Sequence, residues 1–442
     1  MTLPVAGLQA RTWRAFSQWR AQPEWVVPGA SFDLDFAGQR LWREDVRGRG
    51  APYDLAGLLG QLTFTRASTG TWFDAAGVLQ SAGTDVLRFD HDPATLVAKG
   101  VLIEGARTNS IANSTMVGAA AGAPGTLPAG WIYNVATPTQ EVIGVGSEDG
   151  IAYVDVRFSG SNSFALCFTG NTDIVAANGQ AWTQSQFLRL VGGSMTNLTI
   201  TVNIIARTAA GGALAAYNSS PMTPTAAALR TQRYAYAGTT SDGTTGRIQP
   251  RLLFSAAGAF DITIRFGLPQ LELGGFATAP IRTTGSTATR AADALSAAVG
   301  GWFNPSEGTL IIDGASYATG ANNDALTISD GTTNNRHAVR MSGGGGAALA
   351  VTVAGGATTG SVSLGASVAA NRLAYAYKNN DFAGSLNGGA AVIDTSGALP
   401  SGLTAANFGA SYAGGNLFYG HLRRFACIPI RRTNADLPGL AA

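Results

Sequence analysis

Apolar and polar residues alternate regularly over much of the chain after Ala112, and this period of two is the feature that most restricts its fold. In "LTITVNII" (198–205) every second residue is apolar, and "FDITIRFGL" (260–268) repeats the pattern, with Leu268 as the last apolar position of its face. Successive side chains of a β-strand point to opposite faces, so each segment predicts a half-buried strand. The chain is therefore predicted to be mainly β.

The connections between the predicted strands are short and rich in turn-forming residues, as in "SDGTTGR" (241–247) and "LNGG" (386–389). Many short strands with such turns favour antiparallel β-sandwiches over a parallel sheet. The alternation stops in "GGFATAPIRTTGSTATRAADALSAAVGG" (274–301), where small residues dominate. We therefore predict one sandwich before this stretch and a second sandwich after it.

Charge and cysteine content argue against several functional classes. The formal net charge is +2, which is too small to indicate a nucleic-acid partner. No run of about 20 apolar residues suggests membrane insertion. Cys167 and Cys427 lack metal-ligand spacing and are interpreted as buried free thiols. His337 and His421 are interpreted as polar groups inside a sandwich, because three histidines spread over the chain make no zinc spacing.

The segment "ARTWRAFSQWRAQPEW" (10–25) carries aromatic residues at helical spacing and predicts a short amphipathic helix that ends at Pro23. One interpretation is a helix with a small domain of its own. The other is a docking segment whose aromatic side chains insert into a partner. The candidate anchoring residues are Trp13, Phe16, Trp19 and Trp25.

Four phrases together resemble a known family. They are "LTFTRASTGTWFDAAGVLQSAGTDVLRFDHDP" (62–93), "GVLIEGARTNSIANST" (100–115), "PQLELGGFATAPIRTTGSTATRAAD" (269–293) and the stretch from "NRLAYAYKNNDFAGSLNGG" (371–389) to "FYGHLRRFACIPIRR" (418–432). In order and spacing the chain resembles tail-fibre, tailspike and head-spike-fibre proteins of tailed bacteriophages and gene transfer agents. The resemblance covers roughly residues 31–435.

The resemblance implies two tandem antiparallel β-sandwiches behind a short N-terminal helical or extended virion anchor. The expected divisions are an anchoring segment (1–55), a base module (56–114), a carbohydrate-binding-module-like jelly roll (115–275), a linker (276–300) and a concanavalin A-like (laminin G-like) domain with a short C-terminal tail (301–442). The implied protein is a homotrimer at the virion surface, made in the bacterial host cytoplasm. It would attach to other virion proteins through its N-terminus and contact host surface polysaccharide.

A compact charged cluster in the first two phrases is interpreted as a set of structural locks. Its members are Arg88, Asp90, His91, Asp92, Glu104 and Arg107. A catalytic interpretation would need Ser68 or Ser81 beside His91, with the imidazole oriented by a carboxylate. Neighbours of a histidine on a strand point to the opposite face, which favours the structural interpretation. No catalytic residue is predicted.

Glycan recognition needs aromatic faces for sugar C–H surfaces and planar polar groups for hydroxyls. The candidates in the second sandwich are Tyr375, Tyr377, Asn379, Asn380, Asp381, Tyr412 and Tyr419. The alternative is that the tyrosines cap a core and that "KNND" (378–381) is an ordinary turn. Asp324, Asp330 and Asn334 are weak candidates for calcium, since they compete with ordinary turn chemistry. No other cofactor is expected.

Two further functional classes stay open. A purely structural adaptor would expose no glycan groove. A capsule-degrading depolymerase would need a pair of carboxylates about 5–9 Å apart. The acidic residues are scattered (Asp149, Asp155, Asp261, Glu272 and Glu307), and no β-helix repeat is visible, so we expect a protein without enzymatic activity.

Overall fold

The computed structural model describes residues 22–45, 49–170, 173–320 and 322–442. Within these ranges the chain consists mainly of β-strands joined by turns. No helix in the described ranges is long and apolar enough to cross a membrane. The predicted N-terminal helix, with Trp13, Phe16 and Trp19, lies outside the described residues.

Strands follow one another along almost the whole of the described chain. Those in the first half are β1 (Phe32–Asp35), β2 (Arg40–Glu44), β3 (Gly50–Tyr53), β4 (Thr63–Thr65), β5 (Gly70–Phe73), β6 (Leu79–Ala82), β7 (Phe89–His91), β8 (Ala98–Ile103), β9 (Arg107–Asn109), β10 (Ile132–Asn134), β11 (Thr139–Glu148), β12 (Ile151–Gly160), β13 (Phe164–Cys167), β14 (Ile174–Val175), β15 (Ala181–Gly193) and β16 (Leu198–Thr208). Those in the second half are β17 (Ala213–Asn218), β18 (Arg233–Thr239), β19 (Thr245–Ala256), β20 (Phe260–Leu273), β21 (Ala288–Arg290), β22 (Ala294–Ala298), β23 (Glu307–Ser316), β24 (Asp324–Ser329), β25 (Arg336–Arg340), β26 (Ala347–Ala354), β27 (Ala357–Ala366), β28 (Ala370–Lys378), β29 (Asp381–Leu386), β30 (Val392–Asp394), β31 (Ala405–Phe408) and β32 (Gly420–Ile428). Short helices are α1 (Leu55–Leu59), α2 (Leu437–Leu440) and a 3-10 turn (Leu229–Thr231).

The chain forms two compact units, neither of which is continuous in sequence. Of the described residues, the first unit comprises Gln22–Thr65, Ala98–Gly105 and Asp293–Ala442, and the second comprises Arg66–Val97 and Ala106–Ala292. The prediction of a mainly β fold with antiparallel sheets is confirmed. The predicted divisions differ from these units, because the base module (56–114) is shared between them.

In the first unit, two antiparallel sheets pack face to face. One sheet has the strand order β3-β2-β1-β32-β23-β28-β29-β30, with β8 also paired to β32. The other has the order β27-β26-β25-β24-β31-β22-β4. Phe408 of the second sheet meets Phe425 of the first with ring centroids 5.2 Å apart. The predicted anchoring segment therefore contributes β1–β3 to this unit.

The outer face of the first sheet is covered by segments from near both ends of the chain. Val27, Trp42 and Leu437 are buried there in one apolar cluster with Ile311 and Ala376. Because the sheet is buried on both faces, β28 carries apolar residues at consecutive positions rather than in alternation.

Trp25 was predicted to belong to the virion anchor, but the structure places it in the fold of the first unit. Its side chain is half-buried and packs against the apolar cluster that contains Trp42. The guanidinium carbon of Arg40 lies 4.4 Å from the centre of its ring. A cation that covers an aromatic face in this way stabilises the ring in its place. We therefore correct the prediction for Trp25.

In the second unit, two antiparallel sheets enclose one large core. Their strand orders are β10-β13-β19-β16-β17, with β14 on β19, and β11-β12-β20-β15-β18. Phe164 of β13 and Phe254 of β19 are partners in register on one of these sheets, and their rings stack at 4.4 Å inside the core. The predicted apolar faces of "LTITVNII" and "FDITIRFGL" lie in this core, except that Leu268 packs in a separate cluster. Leu268 has a φ of 39°, so its side chain does not continue the alternation of the residues before it.

Candidate ligand-binding site

The two tyrosines predicted to line a glycan groove are buried between the sheets of the first unit. Tyr375 and Tyr377 are both 0% exposed. The Tyr375 hydroxyl lies 2.5 Å from Thr352 Oγ1, and the Tyr377 hydroxyl donates to the carbonyl of Asn304 at 2.7 Å. Burial raises the pKa of both phenols. Neither ring face reaches solvent, so the groove prediction is corrected in favour of the core interpretation.

The other predicted glycan residues lie at the surface of the first unit, but several serve its turns. Asn380 has a φ of 57° and its side chain accepts from Gly397 N at 2.9 Å. Asp381 pairs with Arg431 at 2.7 Å. Asn379 is exposed, whereas Tyr412 and Tyr419 are half-buried. Their role in glycan binding stays a prediction.

The three weak calcium candidates are not brought together. Asp324 begins β24 and Asp330 directly follows its last residue, so the two lie about 20 Å apart at the usual rise per residue. Asp324 is buried against Arg340 at 2.8 Å, and Asp330 accepts from the backbone of Thr332 within its own turn. Asn334 lies in the same exposed turn. In the described ranges, no group of three or more His, Cys, Asp or Glu side chains is placed to hold a metal.

The charged cluster of the first phrase is engaged with backbone groups of the second unit. Buried Arg88 donates to the carbonyl of Thr71 at 3.1 Å, and Asp90 accepts from Phe73 N at 2.7 Å. His91 Nδ1 lies 3.3 Å from the carbonyl of Phe73. Asp92 accepts from two backbone N–H groups of the turn that follows it. These contacts support a structural role for the cluster.

Glu104 and Arg107 belong to different units and have partners within them. In the first unit, Glu104 exchanges hydrogen bonds with Asp293: its N–H donates to the Asp293 carboxylate at 2.8 Å, and its carbonyl accepts from Asp293 N at 2.9 Å. In the second unit, Arg107 Nε lies 3.8 Å from the buried carboxylate of Glu272. These contacts tie the second phrase to segments distant in sequence.

The acidic residues considered for a depolymerase each face a cation. Their ion pairs are Asp149–Arg230, Asp155–Arg265, Asp261–Arg157, Glu272–Arg107 and Glu307–Lys378. Retaining and inverting hydrolases need two carboxyl groups that face one bond, with one of them protonated. Each of these carboxylates is instead engaged by a cation, which is an arginine in four cases and Lys378 in the case of Glu307. No observation among these groups favours the depolymerase alternative.

A row of polar side chains crosses the outer face of one sheet in the second unit. Cys167, Arg251, Asn203 and Asn218 occupy matching register positions on β13, β19, β16 and β17. Their sequence neighbours Leu166, Leu252 and Val202 point into the core, so alternation directs the row away from it. Asn134, Gln249 and Arg207 flank the row on the same face. We call this set of seven residues the amide–arginine face.

Hydrogen bonds between side chains fix the groups of the amide–arginine face. Asn134 donates to Gln249 Oε1 at 3.1 Å, and Arg207 donates to the same oxygen at 3.0 Å. Arg251 donates through Nε to Asn203 Oδ1, and Asn203 donates in turn to Asn218 Oδ1. The planar amide and guanidinium groups are thus oriented before any ligand arrives.

The amide–arginine face carries more positive charge than its carboxylate partners neutralise. Burial lowers the pKa of Arg251, and the nearby charge of Arg207 lowers it further. Arg207 pairs with Asp173 at 3.3 Å. Within the described residues, no carboxylate pairs with Arg251, and its two terminal Nη atoms have no hydrogen-bond acceptor. Burial also raises the pKa of the Cys167 thiol to about 11, so the row contains no thiolate at neutral pH.

The amide–arginine face was missed at the level of the sequence, although a signal for it exists. Asn203 interrupts the apolar run "LTITVNII", and Gln249 and Arg251 alternate with apolar residues in "GRIQPRLLF" (246–254). Polar residues on the solvent side of a strand are ordinary, so the pattern alone singles out none of them. Only the strand order shows that these residues form one row.

Elsewhere in the same unit, a concavity has a volume of about 350 Å³. Its lining residues include Trp182, Arg107, Leu273 and the hydroxyls of Thr108 and Thr289. The two hydroxyls are 2.7 Å apart and bond to each other, and Arg107 is held between Glu272 and the ring of Phe276. Its polar groups are therefore already engaged with neighbouring side chains.

Comparisons with known proteins give weak likenesses. No protein-family model matches the sequence, and no curated protein matches it. Similar solved structures include "Ruminococcus gnavus IT-sialidase CBM40 bound to alpha2,3 sialyllactose", at 16% identity over 31% of this chain and 84% of that one, with a TM-score of 0.27. They also include the CBM22-1–CBM22-2 tandem of Paenibacillus barcinonensis Xyn10C (12% identity, 73% and 94% covered, TM-score 0.23) and mouse laminin α1 domains LG4–5 (10%, 61% and 89%, 0.20). At these TM-scores the likenesses carry no argument about this chain.

Proposed function

We propose that this chain binds glycans through the amide–arginine face and that it serves as the glycan-contacting subunit of a virion surface appendage. The observation that carries the glycan proposal is the row of planar polar groups, in which the buried amide of Asn203 orients the half-buried guanidinium of Arg251 and the exposed amide of Asn218. Sugars present pairs of hydroxyls that both donate and accept. Amides and guanidinium groups match such pairs, and their fixed orientation lowers the entropy lost on binding.

Apolar side chains beside the row suit the C–H surfaces of a sugar ring. Ile132 pairs with Cys167 in register on β10, and Val175 pairs with Arg247 on β14. Val175 is 78% exposed. A face of this kind, without an aromatic platform, gives a weak single site. In a trimer, three such sites would raise the avidity through their effective concentration.

The virion role rests on the resemblance of the four sequence phrases to phage appendage proteins. It includes a homotrimer, attachment to other virion proteins through the N-terminal segment, and adsorption to host polysaccharide. We assign the proposed virion contact to residues before Val26, because Val26 and Val27 are buried in the apolar cluster of the first unit.

Deletion of residues 1–21 is expected to abolish incorporation of the protein into particles while the remaining chain stays folded. The cut leaves Val26, Val27 and Ala30 in place, and these side chains belong to the buried cluster of the first unit. Purified particles from a complementation experiment would be probed for the truncated chain, with circular dichroism of the isolated protein as the folding control. Normal incorporation would contradict the anchor hypothesis.

The double variant Asn134→Ala/Asn218→Ala is expected to weaken glycan binding at least about 5-fold, since each lost hydrogen-bonding group contributes roughly 0.5–1.5 kcal/mol. Titration calorimetry of the full chain against purified surface polysaccharides of bacteria would measure the affinity. Asn379→Ala is the matched control, because Asn379 is an exposed asparagine in a turn of the other unit. A loss with Asn379→Ala and none with the double variant would move the site to the first unit.

A reducing-end assay on the same samples separates the proposal from the two other classes. Saturable binding without new reducing ends supports an adhesin. Release of reducing ends would favour a depolymerase, and the absence of binding to every polysaccharide would favour a structural adaptor.

A further inference from the structure

The charge of the amide–arginine face restricts the class of glycan that it would accept. Three arginines lie on or beside this face: its members Arg207 and Arg251, and Arg247, which is aligned with Arg207 and lies four residues before Arg251 on β19. Among the described residues, the carboxylate that pairs with one of these arginines is that of Asp173, which lies 3.3 Å from Arg207. Arg247 is exposed, and Arg251 is partly buried. The face therefore carries positive charge that its own side chains do not neutralise.

The guanidinium of Arg251 is held at its Nε, while the edge formed by its two Nη atoms is open. Its Nε donates to Asn203 Oδ1, and Asn203 is itself held by Asn218. This anchors one edge of the guanidinium and leaves the edge formed by the two Nη atoms without a partner in the described residues. Two parallel N–H groups on this edge match the spacing of the two oxygens of a carboxylate.

The environment of Arg251 strengthens an interaction with an anion. The side chain is partly buried, and burial together with the charge of Arg207 disfavours its cationic form. An anion bound at the Nη edge would offset both effects in a medium of lower dielectric than water. The half-buried amide of Asn134 and the exposed amide of Asn218 lie on the same face and suit hydroxyl groups of the same sugar.

We propose that the amide–arginine face selects acidic glycans and that the Nη edge of Arg251 binds a sugar carboxylate in a bidentate manner. This inference rests on the proposed glycan-binding function. The carboxylate class covers both uronic acids and nonulosonic acids, which share the group that Arg251 recognises. Arg207 is already paired with Asp173, so Arg251 is the primary contact and Arg247 supplies longer-range attraction.

The test compares charged polymers with neutral counterparts of the same backbone. The full chain would be titrated calorimetrically with polygalacturonate, alginate, hyaluronan and α2,8-linked polysialate, and with the carboxyl-reduced form of each. We expect at least one acidic polymer to bind at least about 10-fold more tightly than its reduced form, as a charge-assisted bidentate contact implies. Arg251→Gln should remove that difference, and Arg251→Lys should retain only part of it, because lysine keeps the charge without the fork.

Arg157→Gln is the control for net charge, because Arg157 lies on the other sheet of the second unit and is paired with Asp261 at 2.7 Å. Equal binding of acidic and reduced polymers overturns the carboxylate proposal and leaves the glycan proposal standing. A loss with Arg157→Gln as large as that with Arg251→Gln also overturns it, since the effect would then come from overall charge. Binding of neither the acidic nor the neutral polymers overturns both proposals.

Discussion

Replacement of Arg424 by alanine is expected to lower the free energy of unfolding of the first unit by about 3–5 kcal/mol, because it leaves a buried carboxylate without its cation. The carboxylate is that of Asp33, whose side chain is 0% exposed. Arg424 holds it with two hydrogen bonds, at 2.8 Å and 2.5 Å, and Val27 N donates to it at 2.8 Å. Burial raises the pKa of Asp33, while the Arg424 guanidinium opposes that rise.

The measurement is urea unfolding followed by fluorescence, with hydrogen exchange of the β1 and β32 amides to locate the effect. The control is the double variant Asp33→Leu/Arg424→Met, which replaces both charges by apolar groups and should recover most of the loss. Arg157→Ala removes an exposed arginine from the other unit and should leave β1 and β32 protected. If Arg424→Ala costs less than about 1 kcal/mol, or if the double variant is no more stable than the single one, the pair has another role.

The pairing of β1 with β32 also shows what the sequence could and could not predict about the fold. Alternation correctly predicted strands such as β16 and β20 and most residues of their buried faces. It contains no information about which strands pair, and Phe32 is aligned with Cys427 from nearly the other end of the chain. The sequence-based divisions assumed continuous domains, and for this reason they differ from the two units.

The candidate site was harder to predict, because alternation identifies a shared face without showing what covers it. Tyr375 and Tyr377 do share a face of β28, as predicted, but β25 and β26 of the opposing sheet cover it. For Asn203 and Arg251, by contrast, the shared face itself was not predicted. These two residues are distant in sequence, and only the order β13-β19-β16-β17 places them in one row.

Acidification is expected to destabilise the first unit through His337, a buried histidine on β25. Burial lowers the pKa of His337 to about 3. Its Nδ1 lies 2.8 Å from Thr352 Oγ1, and its ring packs 4.5 Å from that of Tyr377. In the unfolded chain a histidine binds a proton near pH 6.5. Between about pH 6.5 and pH 3 the unfolded state therefore binds more protons than the native state, and stability falls as the pH falls.

The expected slope is about 1.4 kcal/mol per pH unit below pH 6, which amounts to roughly 5 kcal/mol over the whole window. Carboxylates also titrate at the lower end of this range, so the useful quantity is the difference between the native sequence and His337→Gln, which keeps a polar group but binds no proton. That difference, from urea unfolding at several pH values, should shift in favour of the variant as the pH falls. The imidazole resonance of His337 in the folded protein should remain that of the neutral ring down to about pH 4.

A difference that does not change between pH 6.5 and pH 3.5, or a His337 resonance that titrates near pH 6, would mean that the imidazolium is accommodated between the sheets. The buried contacts with Thr352 and Tyr377 would then have to open in the native state, because neither a hydroxyl nor a phenol ring in this core offers a compensating negative charge.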